Sequence, residues 1–197
     1  GISAAVRAVE EADAALLVIG EHYDLSGGAR SRASIALPSS QLALAQRVID
    51  TGKPVVVLLV NGRPLAIPWI VQHAHSVLET WMLGVEAGNA VADIVFGKFS
   101  PGGKLPVTFP NSTGQVPLFY STRSTGRPAD PDLTKDSTRY IDEPIPPLFA
   151  FGHGLSYSSF SYSDVKQNKT SVAPGDQIEL SVVVENSGNM EADEVVQ

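Results

Sequence analysis

The chain has 197 residues, a formal net charge of −7 and no cysteine, and hydrophobic residues make up 43% of it. The negative charge argues against a nucleic-acid or anionic-membrane partner, because both require a basic surface, and the longest apolar run, residues 54–60, is too short to cross a bilayer. With no thiol and no HExxH pattern among its histidines, the chain is expected to hold neither a disulfide nor a zinc ion.

The first half of the chain alternates between strand and helix patterns. Ser3 is the predicted N-cap of a helix over residues 3–12, and further helices are predicted at residues 38–50 and 88–96. Three apolar runs are predicted to form parallel strands, at residues 14–19, 55–60 and 75–81. The alternation predicts an α/β fold, an α/β sandwich whose mainly parallel sheet is covered on both faces.

The pattern changes after residue 97. A short strand is predicted at residues 105–109, and residues 110–147, rich in Pro, Ser, Thr and Gly, are predicted to form a long irregular arm. From Phe160 onward apolar and polar residues alternate, which is typical of an antiparallel β-sandwich, but the chain ends before about seven strands could form. We therefore expect a partial α/β domain over residues 1–160 and an incomplete all-β domain over residues 161–197.

The first candidate functional segment is the loop over residues 20–36, which follows the first predicted strand. Binding and catalytic groups in α/β proteins gather past the carboxyl ends of strands, where loops are free to vary. The loop is rich in glycine and carries Glu21, Asp24, Arg30 and Arg32. It is too long and too acidic for a GxGxxG turn or a phosphate-binding loop, and it lacks the lysine of the latter.

Short motifs follow one another in a characteristic order along the whole chain. Among them are Gly20-Glu21, Ser26-Gly27, Ser31-Arg32, Asn61-Gly-Arg-Pro64, Glu79-Thr-Trp81, Ser100-Pro-Gly-Gly-Lys104, Gly126-Arg-Pro128 and Phe151-Gly-His-Gly-Leu-Ser-Tyr157. Each is weak alone, but the ordered series resembles glycoside hydrolase family 3, the β-glucosidase and β-xylosidase type. The resemblance implies that residues 1–160 are the later part of that family's α/β sandwich domain and that residues 161–197 begin a fibronectin type III-like domain.

This resemblance implies retaining, exo-acting hydrolysis of terminal β-D-glucosides or β-D-xylosides, with an oligosaccharide or aryl β-glycoside as substrate. In the family a barrel domain carries the aspartate nucleophile and precedes this region. The chain is therefore expected to be a fragment, inactive alone, whose partner is the missing barrel. No cofactor and no metal ion are implied. Assembly into a homodimer is left as an open alternative. A periplasmic or secreted location is favoured over a cytoplasmic one.

Similar sequences place the acid/base glutamate in the loop over residues 20–36, in a Ser-Gly-Glu context. This chain reads Ser26-Gly27-Gly28, so Gly28 occupies the expected position, and a glycine cannot transfer a proton. Three explanations stay open: an engineered replacement, a natural variant without the residue, or transfer of the role to Glu21 or to a residue of the absent barrel. The alternative function is a catalytically inactive carbohydrate-binding or structural module of the same fold.

Four further residues are predicted to bind substrate: Asp24, Arg30, Arg32 and Trp81. Each also has a structural interpretation. Asp24, like Glu21, fits a solvated or capping charge, Arg32 fits a residue that pins the loop through charge-assisted hydrogen bonds, and Trp81 fits core packing better than a stacking platform for a sugar. Arg63 is predicted to lie in a structural turn after a strand. The alternative is that its side chain faces the interdomain cleft.

Overall fold

The computed structural model describes residues 1–197, which form two compact units. One unit contains Gly1–Ala87 and Leu105–Gly152, and the other contains Gly88–Lys104 and His153–Gln197. The two units are taken in turn below. The predicted domain boundary at residue 160 stays a prediction.

The first unit is built on a three-stranded parallel sheet, which confirms the predicted α/β class. The strands are β1 (Ala15–Gly20), β2 (Val55–Val60) and β3 (Ser76–Glu79), in the spatial order β1-β2-β3. Gly20 pairs with Val60, and Leu59 pairs with Glu79, so the carboxyl ends of all three strands lie at one edge. The helices of this part are α1 (Ile2–Glu10), α2 (Ser39–Ile49) and α3 (Pro68–His73).

Strand β2 is the centre of the core. Its run of Val and Leu is interrupted by no polar residue, and Val55, Val57 and Leu59 are almost completely buried. Such continuous β-branched and aliphatic runs are typical of a central parallel strand. The rest of the core comes from neighbouring helices and loops, including Ala45, Val48, Leu65, Ile67, Ile70 and Phe109.

The prediction that helices cover both faces of the sheet is wrong for β1. Leu17 and Ile19 point into the core, whereas Leu16 is 50% exposed and Val18 is 59% exposed. Successive side chains of a strand point to opposite faces, so one face of β1 is uncovered in this chain although its sequence is apolar throughout.

The first helix begins earlier than its sequence predicted, and Ser3 is not its N-cap. Gly1 is the N-cap residue, and its carbonyl accepts hydrogen bonds from the backbone of Ala4 at 3.0 Å and Ala5 at 3.3 Å. These bonds already enclose Ser3 within the first turn. Its hydroxyl therefore cannot take the place that a capping side chain occupies ahead of the helix.

The predicted strand over residues 105–109 is wrong as well. Only Phe109 pairs, in an isolated antiparallel bridge with Phe149. Pro106 and Pro110 stand within and beside this segment and have no backbone N–H, so they cannot extend the ladder. The arm that follows is irregular, as predicted, apart from a short 3-10 turn at Thr113–Gln115.

The fourth helix, α4 (Ala87–Val95), lies close to the range that the sequence predicted. The second unit contains a two-stranded antiparallel sheet of β4 (Phe160–Gln167) and β5 (Leu180–Asn186). The register shifts between Ser163 and Lys166, where Asp164 has a φ of 52°. The antiparallel pattern is confirmed, while a complete sandwich of the fibronectin type stays a prediction. None of the helices combines the length and the apolar character that a membrane crossing needs.

Candidate functional site

The polar residues that follow the three parallel strands meet at one edge of the sheet. Glu21 follows β1, Asn61 follows β2, and Glu79 is the last residue of β3. Glu21 and Asn61 are buried, and Glu79 is half-buried. In parallel sheets this edge is where ligand-binding loops arise, so the strand register brings the candidate loop beside two residues from more distant parts of the chain.

Glu21 lies inside the molecule, which corrects its interpretation as a solvated charge. The residue is 6% exposed, and its carboxylate is 2.7 Å from Nη1 of Arg32 and 3.0 Å from Nε of Arg63. The backbone N–H of Gly62 donates a third hydrogen bond to it at 3.2 Å. A carboxylate that leaves water requires such charged partners, and here it joins the loop after β1 to the loop after β2.

Arg63 makes several polar contacts at this edge of the sheet. Besides Glu21, its Nη2 donates to the carbonyl of Arg30 at 2.9 Å and to the carbonyl of Leu25 in a short hydrogen bond. These two carbonyls stand on either side of residues 26–29. The side chain thus points inward at the loop rather than away from it, and the planar guanidinium suits several acceptors at once.

Arg32 makes the contacts expected of a residue that pins the loop. It pairs with Glu21, and its Nη2 donates to the carbonyl of Ala36 at 3.2 Å. Arg30 and Asp24, in contrast, are exposed, and the carboxylate of Asp24 lies 3.2 Å from Nδ1 of His22. The structure therefore brings Glu21 and Arg32 together and leaves Asp24 and Arg30 on the outer side of the loop.

The segment around Gly28 combines a constrained backbone with an open position. Gly27 has a φ of 113° and Ala29 a φ of 58°, both in the left-handed half of conformational space, where an alanine is uncommon. Gly28 itself has no such φ, and a Cβ built on it would meet no atom within 4 Å. A larger side chain fits at residue 28, the position that the family resemblance assigns to the acid/base group.

Glu79 carries a strongly perturbed carboxyl group at this edge. Burial raises its pKa to about 7, against the lowering effect of hydrogen bonds from the Trp81 backbone N–H at 2.8 Å and from Asn61 Nδ2 at 3.3 Å. Perturbed carboxyl groups are frequent at functional sites, although structural networks produce them too. Both hydrogen-bond partners of Glu79 belong to this chain: Asn61 directly follows β2, and Trp81 lies just after β3.

Trp81 turns the chain sharply after β3. Its φ is 52°, its ring is half-buried, and the ring centroid lies 5.9 Å from that of Phe109. The neighbouring hydroxyl of Thr80 donates to the carbonyl of Leu59 at 2.9 Å and fixes the start of the turn. The indole therefore packs against the core, and a role in stacking on a sugar stays a prediction.

Three residues of this edge were not among the predicted site residues: Asn61, Arg63 and Glu79. Part of a signal was present, because Asn61 directly follows the second predicted strand, Arg63 lies three residues after that strand, and Glu79 lies near the end of the third. The side-chain directions were not readable, since they depend on contacts across 18 to 42 positions of sequence. No group of three or more His, Asp or Glu side chains is placed to hold a metal ion.

The chain resembles known carbohydrate-active proteins in sequence. Residues 1–157 match the glycosyl hydrolase family 3 C-terminal domain. The whole chain is 44% identical to a periplasmic beta-glucosidase of Salmonella typhimurium over 197 residues, and 42% identical to a beta-xylosidase of Formosa agariphila over 200 residues. Each alignment covers 100% of this chain and 26% of the relative, so the chain spans about a quarter of their length.

Solved structures agree with these relationships. The β-glucosidase from Listeria innocua in complex with glucose superimposes with a TM-score of 0.89 at 36% identity, covering 95% of this chain and 26% of that one. Its complex with isofagomine gives a TM-score of 0.88 at 37% identity, with 94% and 26% covered.

Proposed function

Because the chain belongs to glycosyl hydrolase family 3, whose C-terminal domain it matches, we propose that it is part of a retaining β-glycosidase that removes β-D-glucosyl or β-D-xylosyl residues from non-reducing ends. The substrate class comes from the relatives, which are named beta-glucosidase and beta-xylosidase, and from the glucose complex of the Listeria enzyme. In this proposal a barrel domain elsewhere in a longer protein supplies the nucleophile, and the chain alone is inactive.

The observation that carries the proposal is the loop around Gly28. Its flanks are held by Arg63, it lies beyond the carboxyl end of a parallel strand, and residue 28 has open space on its side-chain side. A general acid/base requires a position that is fixed in space and yet open to the substrate. In the proposal the edge of the sheet offers this position to a sugar bound against the barrel.

The chemistry assigned to this position is proton transfer. In a retaining glycosidase two carboxyl groups lie about 5–5.5 Å apart, one attacking the anomeric carbon and the other protonating the leaving oxygen. The second group then takes a proton from the incoming water. With glycine at residue 28 neither transfer has a donor or an acceptor in this chain, and losing such a group typically costs a factor of about 10²–10⁴ in rate.

Glu21 is a poor substitute for the missing group. Its carboxylate is 6% exposed and already accepts hydrogen bonds from two guanidinium groups and from Gly62. A proton donor has to reach the glycosidic oxygen within about 3 Å, and these three contacts hold Glu21 toward the interior. The proposal therefore keeps the acid/base role at residue 28.

The remaining parts of the proposal rest on the family. Residues 1–160 belong to the α/β sandwich domain, and residues 161–197 begin a fibronectin type III-like domain. Asp24, Arg30, Arg32 and Trp81 are assigned to the substrate side. A periplasmic or secreted location follows the name of the Salmonella relative, and a homodimer stays open.

The test is chemical rescue in the full-length protein that contains this chain. Hydrolysis of an activated aryl β-glucoside and the matching β-xyloside is measured with and without azide, for the present sequence with Gly28, for Gly28→Glu and for Gly28→Gln, a control that is isosteric with glutamate. Azide is a nucleophile that needs no general base, so it is expected to raise the rate with Gly28 and Gly28→Gln. Gly28→Glu is expected to be about 10²–10⁴ times faster without azide and insensitive to it.

The absence of a carboxyl group at residue 28 also favours a second candidate, an inactive carbohydrate-binding module. The same experiment separates the two. If neither Gly28→Glu nor azide produces turnover while the folded protein still binds a β-glucoside, the enzyme proposal fails and the binding module replaces it.

A further inference from the structure

The contacts of Arg63 form a clamp around the segment that contains residue 28. Its Nη2 donates to the carbonyls of Leu25 and Arg30, which border residues 26–29 on both sides. Its Nε forms an ion pair with the buried carboxylate of Glu21, and this ion pair anchors the guanidinium. The side chain of Arg63 is 20% exposed; its bond to the carbonyl of Leu25 is partly buried, and its bond to the carbonyl of Arg30 is exposed.

The clamped segment needs an external restraint. Gly27 and Ala29 both have a positive φ, at 113° and 58°, and such backbone conformations persist where the surroundings over-determine them. Within the segment itself only one hydrogen bond between backbone groups ties the two ends, from the N–H of Arg30 to the carbonyl of Gly27 at 3.2 Å. Arg63 adds bonds at both flanks from a different strand end.

The loop after β2 also approaches this segment closely. A Cβ on Gly62 would come within 1.8 Å of the Ser26 hydroxyl oxygen and 2.7 Å of the Ser26 Cβ, so the Ser26 side chain packs directly on Gly62. Ser26 is two residues before Gly28, and Gly62 is directly before Arg63. The loop that carries Arg63 therefore touches the segment directly, beside the hydrogen bonds of the guanidinium.

From this geometry we infer that Arg63 is the positioning residue for residue 28: its guanidinium fixes the direction in which an acid/base side chain at that position points. The inference rests on the proposed function for the role of residue 28, while the clamp itself rests on the contacts of Arg63. A lysine cannot replace it, because a point charge lacks the planar set of donors that reaches Glu21 and both carbonyls together.

Arg32 is the matched control. It pairs with the same carboxylate at 2.7 Å, but its other hydrogen bond goes to Ala36, outside the clamped segment. Arg63→Lys and Arg32→Lys each leave Glu21 one arginine and keep the positive charge, so both variants are expected to fold. A difference between them reports the clamp rather than the ion pair.

The first measurement is made in the full-length Gly28→Glu protein. Arg63→Lys is expected to lower kcat for a substrate with a poor leaving group, such as methyl β-glucoside, about 10- to 100-fold, because that step requires the proton. The rate of the glycosylation step on an activated aryl glucoside is expected to change less than about 3-fold. Arg32→Lys is expected to change both rates by the same factor. Equal losses on both substrates with Arg63→Lys would overturn the inference.

The second measurement does not depend on activity. Since this chain has no cysteine, Gly28→Cys introduces a single site in it for a nitroxide spin label. The spectrum of the protein without this substitution, labelled in the same way, is subtracted as background. The label is expected to become more mobile with Arg63→Lys and to stay unchanged with Arg32→Lys. An unchanged spectrum in both variants would refute the clamp. A mobile label together with an inactive Gly28→Glu protein would refute only the proposed function.

Discussion

Glu79 is the residue whose burial has the clearest thermodynamic consequence. Its pKa is raised from 4.5 to about 7 because the folded protein removes the carboxyl group from water. Between these two values the native state holds a proton that the unfolded chain has released. Stability therefore falls as the pH rises through this interval, by about 3 kcal/mol at most for the whole shift.

Replacing this residue tests the shift directly. Glu79→Gln imitates the neutral carboxyl group, so the free energy of unfolding of that variant is expected to lose most of its pH dependence between pH 4.5 and 7 and to exceed that of the natural protein at pH 8. Urea denaturation at a series of pH values measures this, with the exposed Glu10→Gln as control. The same slope in Glu79→Gln as in the natural protein would show that the shift belongs to another group.

The candidate site was partly readable at the level of single residues. The loop after β1 was identified from its glycines and charges, and the pinning contacts of Arg32 are confirmed. The burial of Glu21 and the direction of Arg63 were not readable, because a charged residue after a strand is exposed in most proteins. Only the contact between Glu21 and Arg63, which are 42 positions apart in the sequence, shows that these two charges pair with each other.

At the level of secondary-structure elements, uninterrupted runs of aliphatic residues predicted the structure best. Strand β2 has the predicted bounds, Val55–Val60, because six consecutive Val and Leu residues fit little else than a central strand. The segment over residues 105–109 is also largely apolar, but Pro106 within it and Pro110 beside it lack the backbone N–H that a strand requires. An apolar pattern predicts burial in both places, and hydrogen-bonding capacity decides which of them becomes a strand.

The junction of β1 and β2 depends on a glycine. Gly20 has a φ of 139°, and a Cβ there would lie 1.9 Å from the carbonyl oxygen of Val60, the residue with which it pairs. Gln41 closes this junction from α2, since its side-chain amide bonds both the N–H and the carbonyl of Gly20, at 2.7 Å and 3.0 Å. A side chain at residue 20 would push the two strand ends apart, directly before Glu21.

Gly20→Ala is therefore expected to destabilise the protein by about 3 kcal/mol or more, through overpacking and an unfavourable φ. Gly28→Ala is the matched control, because its Cβ meets no atom and its φ lies outside the positive region. It is expected to change the free energy of unfolding by less than about 0.5 kcal/mol. Urea midpoints of the two variants measure the difference, and equal midpoints would show that the junction tolerates a Cβ.

At the scale of the whole molecule, the chain leaves apolar surface uncovered. Leu16 and Val18 form an exposed pair on one face of β1, at 50% and 59% exposure. A parallel strand is normally covered on both faces, and the relatives are about four times as long as this chain. We expect another part of a longer protein to cover this face, as the family resemblance implies for the missing domain.

The isolated chain is therefore expected to bind an apolar dye and to self-associate, because an uncovered apolar strand face promotes both. The double variant Leu16→Gln with Val18→Thr should reduce dye fluorescence and the apparent mass in sedimentation, since it makes that face polar and keeps a β-branched residue in the strand. The control is Leu133→Gln with Ile141→Thr in the irregular arm, where both apolar side chains are more exposed, at 67% and 85%, but belong to no sheet. If both double variants reduce the dye signal equally, total apolar exposure is responsible, and the uncovered face of β1 has no special part in association.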